Sequence, residues 1–204
     1  RSLNNLKERG WPTLNVEPLT QQEQRKLIHS YLALYRRTPS EKLVYKITNA
    51  SQSENPLYLR SLLEELRLYG DHDTLMAEAE RYLAADRIND LFELILARWE
   101  RDYNRDRPEF VQDVMTLLWC ARRGLSEPEL LDILGKDGNP LPTAFWAPLS
   151  IASERYIVNW AGLLGFFHDN FKKAVEDRYL TTEKARERTH RKIAEYFRKR
   201  GKSQ

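Results

Sequence analysis

Apolar residues recur at intervals of three and four from residue 20 to residue 103, in five stretches separated by short polar turns. That interval places the apolar side chains of each stretch on one face of a helix. Thr20 and Glu23 form the pattern of a capping box at the start of the first stretch. The pattern therefore predicts a bundle of five amphipathic helices.

The pattern changes after the polar, helix-breaking sequence 104–108, which predicts a boundary between two domains. Three further helical stretches follow it, over 109–122, 126–134 and 142–153. β-Branched and aromatic residues then lie on both sides of a turn at 159–162, and this predicts a β-hairpin. Helix, turn, helix, longer turn, helix and hairpin is the order of a winged-helix domain.

We therefore predict a mainly α fold, in which a helical bundle precedes a winged-helix domain with a short β-hairpin. The predicted segments are a short edge segment over 1–19, the helical domain over 20–104, the winged-helix domain over 105–181 and a basic C-terminal helix over 182–204. The last segment holds nine Lys or Arg against three Glu, in a chain whose net charge is +3. This local excess is typical of a solvated helix end or of a contact with a phosphate or a partner.

Composition and cysteine content are typical of a globular protein from a reducing compartment. The 204 residues are 41% hydrophobic and 31% charged, as in globular proteins. The single cysteine, Cys120, lies in an apolar helical stretch and is predicted to be a buried structural thiol in a reducing, cytoplasmic setting. No apolar run approaches the ~20 residues of a membrane span. Because the chain begins at Arg1 and not at a methionine, we expect it to be a piece of a longer protein.

The sequence contains no recognisable catalytic constellation. It lacks both a phosphate-binding P-loop and the Gly-x-Gly-x-x-Gly pattern of dinucleotide sites. Adjacent carboxylates at Glu64 and Glu65 point in different directions on a helix, where Glu64 shares a face with Arg67. The histidines are well separated and form no metal pair; they are His29, His72, His168 and His190. We therefore predict that the chain is not an enzyme by itself and holds no metal.

Two positions are candidates for ligand contacts. Pro56 lies at a predicted helix start beside a polar loop, where a proline also serves simply to initiate the helix. His168 lies where the hairpin ends and the next helix begins. The alternatives there are a helix capped by Asp169 or Asn170, or a phosphate site that combines the helix N-terminus with the imidazole.

The third helix of the predicted winged-helix domain bears on nucleic-acid binding. Residues 143–152 contain no Arg, Lys, Asn or Gln, which are the side chains that contact base edges and phosphates. Phe145 and Trp146 in the same helix suit packing against protein. These observations argue against nucleic acid as a partner and leave open an adaptor whose aromatic surface binds another protein.

The order of bundle and winged helix resembles the region that follows the ATPase core in STAND-class (signal-transducing, AAA-like) NTPases. Nephrocystin-3-like proteins, the telomerase-associated protein and apoptotic protease-activating factors are examples. The residues that carry the resemblance are 9–19 for the exit from the core, Asn55-Pro56-Leu57 with 63–70 for the lid, and Gly124-Leu125-Ser126 with Leu163 to His168 for the winged helix.

The resemblance implies roles for both candidate positions. Pro56 matches a lid proline that packs near the nucleotide base, and His168 matches a winged-helix histidine that contacts the β-phosphate of ADP. Residues 1–19 would be a remnant of the NTPase core edge. ATP or ADP would be the cofactor of the intact protein, with none bound tightly to this chain. The partners implied are its own NTPase core, neighbouring protomers and other protein domains, and the function implied is nucleotide-dependent switching of oligomerisation.

Two alternatives to this function stay open at the sequence level. The first is a protein–protein interaction adaptor. The second is a winged-helix nucleic-acid-binding module that uses the basic last helix.

Overall fold

The computed structural model describes residues 17–71 and 73–200. These ranges contain ten α-helices, one 3₁₀-helix over Ser51–Glu54 and one two-stranded antiparallel sheet. The helices are α1 (Gln21–Ala33), α2 (Glu41–Thr48), α3 (Pro56–Leu68), α4 (Leu75–Leu83), α5 (Ile88–Tyr103), α6 (Phe110–Cys120), α7 (Glu127–Leu134), α8 (Thr143–Ser153), α9 (Asp169–Tyr179) and α10 (Glu183–Arg200), and the strands are β1 (Ile157–Trp160) and β2 (Leu163–Phe166). The prediction of a mainly helical protein with a short hairpin is confirmed.

Residue contacts divide the chain into two compact units, of which the first ends at Ala84 and the second begins at Ala85. The predicted boundary at 104–105 lies one helix later. The physical reason is that the apolar face of α5 packs against α9, α6 and α8. A helix belongs to the unit that covers its apolar face, and a polar loop alone does not reveal which unit that is. The predicted edge segment over 1–19 lies outside the described residues except for 17–19.

Local capping fixes the helix starts of the first unit. The side-chain oxygen of Thr20 accepts a hydrogen bond from the backbone N–H of Glu23 at 3.3 Å, and the Glu23 carboxylate accepts from the Thr20 N–H at 2.8 Å. Asn55 Oδ1 accepts from the N–H of Leu57 at 2.9 Å, with Pro56 as the first residue of α3. Both helix starts lie where the sequence predicts them.

The core of the first unit is built mainly from α3, which contacts α1 and α4. Its buried apolar residues lie at helical intervals and are fully covered. They include Tyr58, Leu59, Leu62, Leu63 and Leu66 of α3, Ile28 and Leu32 of α1, Val44 and Ile47 of α2, and Ala79 and Tyr82 of α4.

The second unit is centred on four aromatic side chains. Phe92 and Trp99 of α5 meet Phe171 of α9 at ring-centroid distances of 5.1 and 5.6 Å. Tyr156, just before β1, stacks on Phe171 at 4.8 Å. The cluster explains why α5, α9 and the hairpin form one unit, because each contributes large rings to the same core.

The hairpin pairs Trp160 with Leu163 across a two-residue turn. Ala161 and Gly162 have φ values of 52° and 86°, as a type I′ turn requires. On the other side of β2, Leu164 exchanges backbone hydrogen bonds with Leu125. β1 has no such neighbour among the described residues.

The basic helix α10 packs on α6 and α7 through a largely polar face. Of its residues only Thr189 is buried. Lys192 forms an ion pair with Asp113 at 2.8 Å, and Arg200 forms one with Glu129 at 3.1 Å. No helix in the described ranges is long and apolar enough to cross a membrane.

Candidate functional site

The helix α8 has no charged residue along its whole length. Trp146, Leu149 and Ala152 point into the second unit, with Trp146 only 1% exposed. A helix that is apolar all round is ordinarily buried on all sides. In α8 only one side is buried, so the composition of the other side needs a separate explanation.

The exposed side of α8 is formed by Ala144, Phe145, Pro148 and Ile151, which we call the outer face of α8. Phe145 is 41% exposed and Ile151 is 68% exposed. Ala144, Pro148 and Ile151 follow one another at intervals of four and three, so their side chains lie along one line of the helix. The outer face is thus a continuous apolar strip on the protein surface.

Pro148 adds a polar feature to this strip. Proline has no N–H, so it cannot donate the helical hydrogen bond to the carbonyl oxygen of Ala144. Because Ala144 and Pro148 are both exposed, that carbonyl is an acceptor beside apolar side chains. The outer face therefore offers apolar contacts and a hydrogen-bond acceptor, and it has no titratable group for chemistry.

The sequence identified the composition of α8 but not its outer face. Phe145 and Trp146 were both expected to form an aromatic surface, whereas Trp146 is buried. Ile151 and Pro148 were missed. Their helical spacing with Ala144 could have identified them. Because α8 carries no charge, its composition does not distinguish the exposed side from the buried side, and only the spacing of the residues does.

His168 is the N-cap residue of α9, with a half-exposed side chain. Its side chain makes no capping hydrogen bond, and its ring lies 4.4 Å from the ring of Phe167. The alternative in which Asp169 or Asn170 caps the helix is wrong, because Asp169 is already the first helical residue. An N-cap residue keeps an extended backbone, as His168 does at φ −124°.

Pro56 is exposed at the first position of α3, in the first unit, whereas His168 belongs to the second unit. Its position directly after the Asn55 cap is the one that a helix-initiating proline takes. The roles of Pro56 and His168 toward a nucleotide, and ATP or ADP as a cofactor, stay predictions.

The remaining reactive groups are structural. Burial raises the pKa of the Cys120 thiol to about 11, although the nearby Arg186 acts in the opposite direction. This environment stabilises the neutral thiol, as expected for a structural cysteine. In the ranges 17–71 and 73–200 there is no group of three His, Cys, Asp or Glu residues that could hold a metal ion.

Two adjacent buried carboxylates form the most polar part of the first unit. Glu64 accepts a hydrogen bond from the Tyr31 hydroxyl and pairs with Arg67. Glu65 accepts from the Tyr82 hydroxyl at 3.0 Å. The pairing of Glu64 with Arg67 agrees with the predicted shared face. Burial of both carboxylates was missed, because their tyrosine partners come from other helices.

Comparison with known proteins gives relatives that are much longer than this chain. A TPR repeat-containing protein of Dictyostelium discoideum is 31% identical over 196 residues, which cover 96% of this chain and 12% of that protein. Tetratricopeptide repeat protein 41 of Rattus norvegicus is 32% identical over 148 residues, covering 62% of this chain and 11% of the relative. A putative human protein of the same name gives 32% identity over 147 residues, with the same two coverages.

No protein-family model matches the chain. No solved structure matches it significantly. The curated relatives are therefore the comparison that bears on function.

The relatives are named for tetratricopeptide repeats and none for an NTPase. The predicted membership in the STAND class and the nucleotide-sensing lid function are therefore wrong. The short motifs behind that resemblance have a general physical role. Asn55 and Pro56 start α3, and Ser126 with Glu129 forms the capping box of α7. Helices of unrelated proteins begin in the same way.

The prediction that the chain is not an enzyme by itself agrees with these relatives, which are named for tetratricopeptide repeats. The open alternative of a protein–protein interaction adaptor fits these names better than the nucleotide-dependent function.

Proposed function

We propose that this chain is a protein-interaction adaptor that binds another protein domain through the outer face of α8. The observation that carries the proposal is the exposure of Phe145 and Ile151 on a helix without any charged residue. Exposed apolar strips of this kind are typical of interaction sites. The names of the relatives support a binding role, because helical repeat proteins stack their helices into extended binding surfaces.

The energetics of the outer face favour a protein partner. Complete burial of a side chain such as Phe or Ile contributes about 1.5–3 kcal/mol. No charge has to be desolvated on this side of α8. A partner that places one N–H group near the carbonyl of Ala144, to which Pro148 cannot donate, would gain a hydrogen bond as well. A complementary apolar surface with a donor at its centre is therefore the partner chemistry that fits.

We also infer that the second unit contains a winged-helix domain. The order of α6, α7, α8, β1 and β2 supports this, and so does the backbone pairing of Leu125 with Leu164, which adds a short third strand segment. In winged helices that bind DNA the third helix contacts the major groove. The uncharged α8 lacks the side chains for that contact, so we place protein and not nucleic acid on this helix.

Site-specific photo-crosslinking tests the proposal. A benzophenone side chain at Ile151 is expected to crosslink to one recurrent polypeptide segment in cells that express the intact protein. The same group at Leu34, which is 76% exposed in the first unit, is the matched control.

The crosslinked segment is then purified and its affinity for this chain measured. Ile151→Asp should weaken binding by at least about tenfold, because a buried charge replaces a buried side chain. Leu34→Asp should leave it unchanged. If the two variants bind equally well, or if crosslinks at Ile151 are as scattered as at Leu34, the outer face of α8 is not the docking site.

A further inference from the structure

The first unit contains a cavity of about 360 Å³, lined by residues of α1, α2, α3 and α4 and of the loops between them. Small-molecule sites usually combine an apolar cavity of this size with a few polar groups that orient the ligand. The polar groups on the wall therefore decide which ligand the cavity can hold. The apolar part of the wall is formed by Leu32, Leu43, Leu66, Leu75 and Met76.

Arg37 brings a positive charge to the wall of this cavity, and it is half-buried. Its Nη1 donates to the backbone carbonyls of Leu66 and Tyr69 at 3.1 and 2.8 Å. These bonds satisfy carbonyl groups at the C-terminal end of α3, where a cation is favoured. They use one of the three guanidinium nitrogens, so Nε and Nη2 remain available to a ligand.

The edge formed by Nε and Nη2 is the one that holds carboxylates elsewhere in this chain. Arg87 donates from these two nitrogens to the two oxygens of Asp90, both at 2.9 Å. Arg178 does the same with Glu100 at 2.9 and 2.6 Å. Arg37 has no carboxylate partner in the part of the chain that the structure describes. Because an arginine that leaves water is ordinarily paired, this edge suits a carboxylate from outside the chain.

Two other polar residues on the wall bear on the charge of a ligand. Ser40 is the N-cap of α2, so the positive end of the dipole of this helix lies beside the cavity. The carboxylate of Asp71 accepts from the N–H of Asp73 at 3.0 Å and from the hydroxyl of Thr74 at 2.7 Å. Its negative charge is thus stabilised within its own turn, and the charge of Arg37 is left for a ligand.

We propose that this cavity binds a small carboxylic acid with an apolar chain. The carboxylate accepts from Nε and Nη2 of Arg37, and the chain of the ligand contacts the leucines and Met76. An acid of about six carbons has a size that suits such a cavity. The cavity belongs to the first unit, whereas the outer face of α8 belongs to the second, so the adaptor gains a ligand site that is separate from its protein contact.

The charges and the apolar wall favour this ligand class over others. An amine would meet the guanidinium of Arg37 with a like charge. A phosphate or a dicarboxylate would place a second negative charge beside apolar side chains, which costs free energy. The C-terminal residue of a polypeptide also ends in a carboxylate, and that occupant is an outcome of the test below.

An NMR titration of the full chain with sodium hexanoate tests the proposal. We expect saturable shifts of the backbone amides around Arg37 and Tyr69, with a dissociation constant below about 5 mM. 1-Hexanol has the same chain length without the charge, and it should bind at least about tenfold more weakly. Hexylamine carries the opposite charge and should not displace hexanoate. These comparisons use the unmodified chain, so they do not depend on the folding of a variant.

Arg37→Gln removes the charge from the wall and should weaken hexanoate binding at least about tenfold, to the level of 1-hexanol. Binding of 1-hexanol by the same variant should stay unchanged, because the apolar wall is still present. Arg36→Gln is the matched control, since Arg36 is exposed and lies off the cavity wall, and it should bind hexanoate as the unmodified chain does. Met76→Trp fills the cavity and should weaken binding of both probes.

Four results would overturn the proposal. The first is the absence of saturable hexanoate binding. The second is equal affinity for hexanoate and 1-hexanol, which means that the carboxylate is not recognised. The third is equal weakening by Arg36→Gln and Arg37→Gln, which indicates a nonspecific effect of charge. The fourth is tighter binding of N-acetyl-leucyl-leucine than of hexanoate, since the occupant is then the end of a polypeptide. Ile151→Asp should leave hexanoate binding unchanged, so failure at the cavity is distinguishable from failure at α8.

Discussion

The backbones of Leu125 and Leu164 exchange two hydrogen bonds, with donor–acceptor distances of 3.2 and 2.7 Å. They tie the turn before α7 to β2 of the hairpin. Gly124 precedes this contact with a φ of 84°. A Cβ at Gly124 would lie 2.4 Å from the carbonyl oxygen of Leu164. The attachment of the hairpin therefore depends on a residue without a side chain.

Gly124→Ala should lower the free energy of unfolding by about 3 kcal/mol, since it adds backbone strain and a clash with a neighbouring strand. Gly162→Ala is the matched control. Its φ of 86° is nearly the same, but a Cβ there meets nothing within 4 Å, so only the strain of about 1–2 kcal/mol is expected. Urea unfolding of both variants measures the difference. Equal losses in the free energy of unfolding would show that the contact between position 124 and Leu164 adds nothing to the cost of Gly124→Ala.

Arg178→Met should destabilise the second unit by about 1–2 kcal/mol, between the values for exposed and buried ion pairs. All three guanidinium nitrogens of Arg178 donate to Glu93 or Glu100 at 2.6–2.9 Å. Lys173→Met removes a half-exposed pair with Asp177 and should cost less than about 0.5 kcal/mol. Thermal unfolding of the two variants measures these two losses of stability.

The contribution of Arg178 should also depend on pH. Burial raises the pKa of Glu100, but hydrogen bonds from Arg178 and Tyr179 outweigh it and hold the pKa below its ordinary value. A carboxyl with a lowered folded pKa stabilises the protein above its unfolded pKa of about 4.3. That stability disappears as pH falls through the folded pKa. The difference in the free energy of unfolding between the unmodified chain and Arg178→Met should therefore become smaller as the pH falls. A difference that stays constant with pH would argue against charge pairing as its source.

Cys120 should react slowly with a disulfide reagent in the folded chain. With its pKa raised to about 11 by burial, about one thiol in ten thousand is ionised at neutral pH. We expect the rate to rise by at least about a hundredfold in denaturing urea, where burial is lost. The chain has one cysteine, so the absorbance change reports this site alone. A fast reaction under native conditions would mean that the thiol is accessible.

Truncation of two neighbouring aromatic residues in α8 should lower the stability by very different amounts. Trp146→Ala should cost about 3–5 kcal/mol because it leaves a cavity in the second unit. Phe145→Ala should cost less than about 1 kcal/mol because its ring is partly in solvent. Chemical unfolding measures both. Similar costs would mean that α8 is rotated about its axis relative to the described orientation.

Helix starts and the hairpin could be predicted from the sequence because their signals are local. The cap of α1 involves Thr20 and Glu23, three residues apart. The turn at Ala161 and Gly162 likewise lies between the two strands that it joins. In each case the interacting atoms belong to one short segment, so the sequence pattern contains the whole interaction.

What could not be predicted depends on distant partners. Burial of Glu64 requires Tyr31 from another helix, and the position of α5 in the second unit requires the ring of Phe171 from α9. The candidate site is intermediate between these cases. The uncharged composition of α8 is evident in the sequence, but the choice between Trp146 and Phe145 as the buried ring is made by packing.

The attachment of α10 has a consequence for how this protein responds to its medium. The helix is held by ion pairs at the surface, such as those of Lys192 with Asp113 and Arg200 with Glu129. Dissolved salt screens such pairs and leaves apolar packing around Phe171 intact. Rising ionic strength should therefore weaken the attachment of α10 to α6 and α7 while the aromatic packing around Phe171 is unaffected.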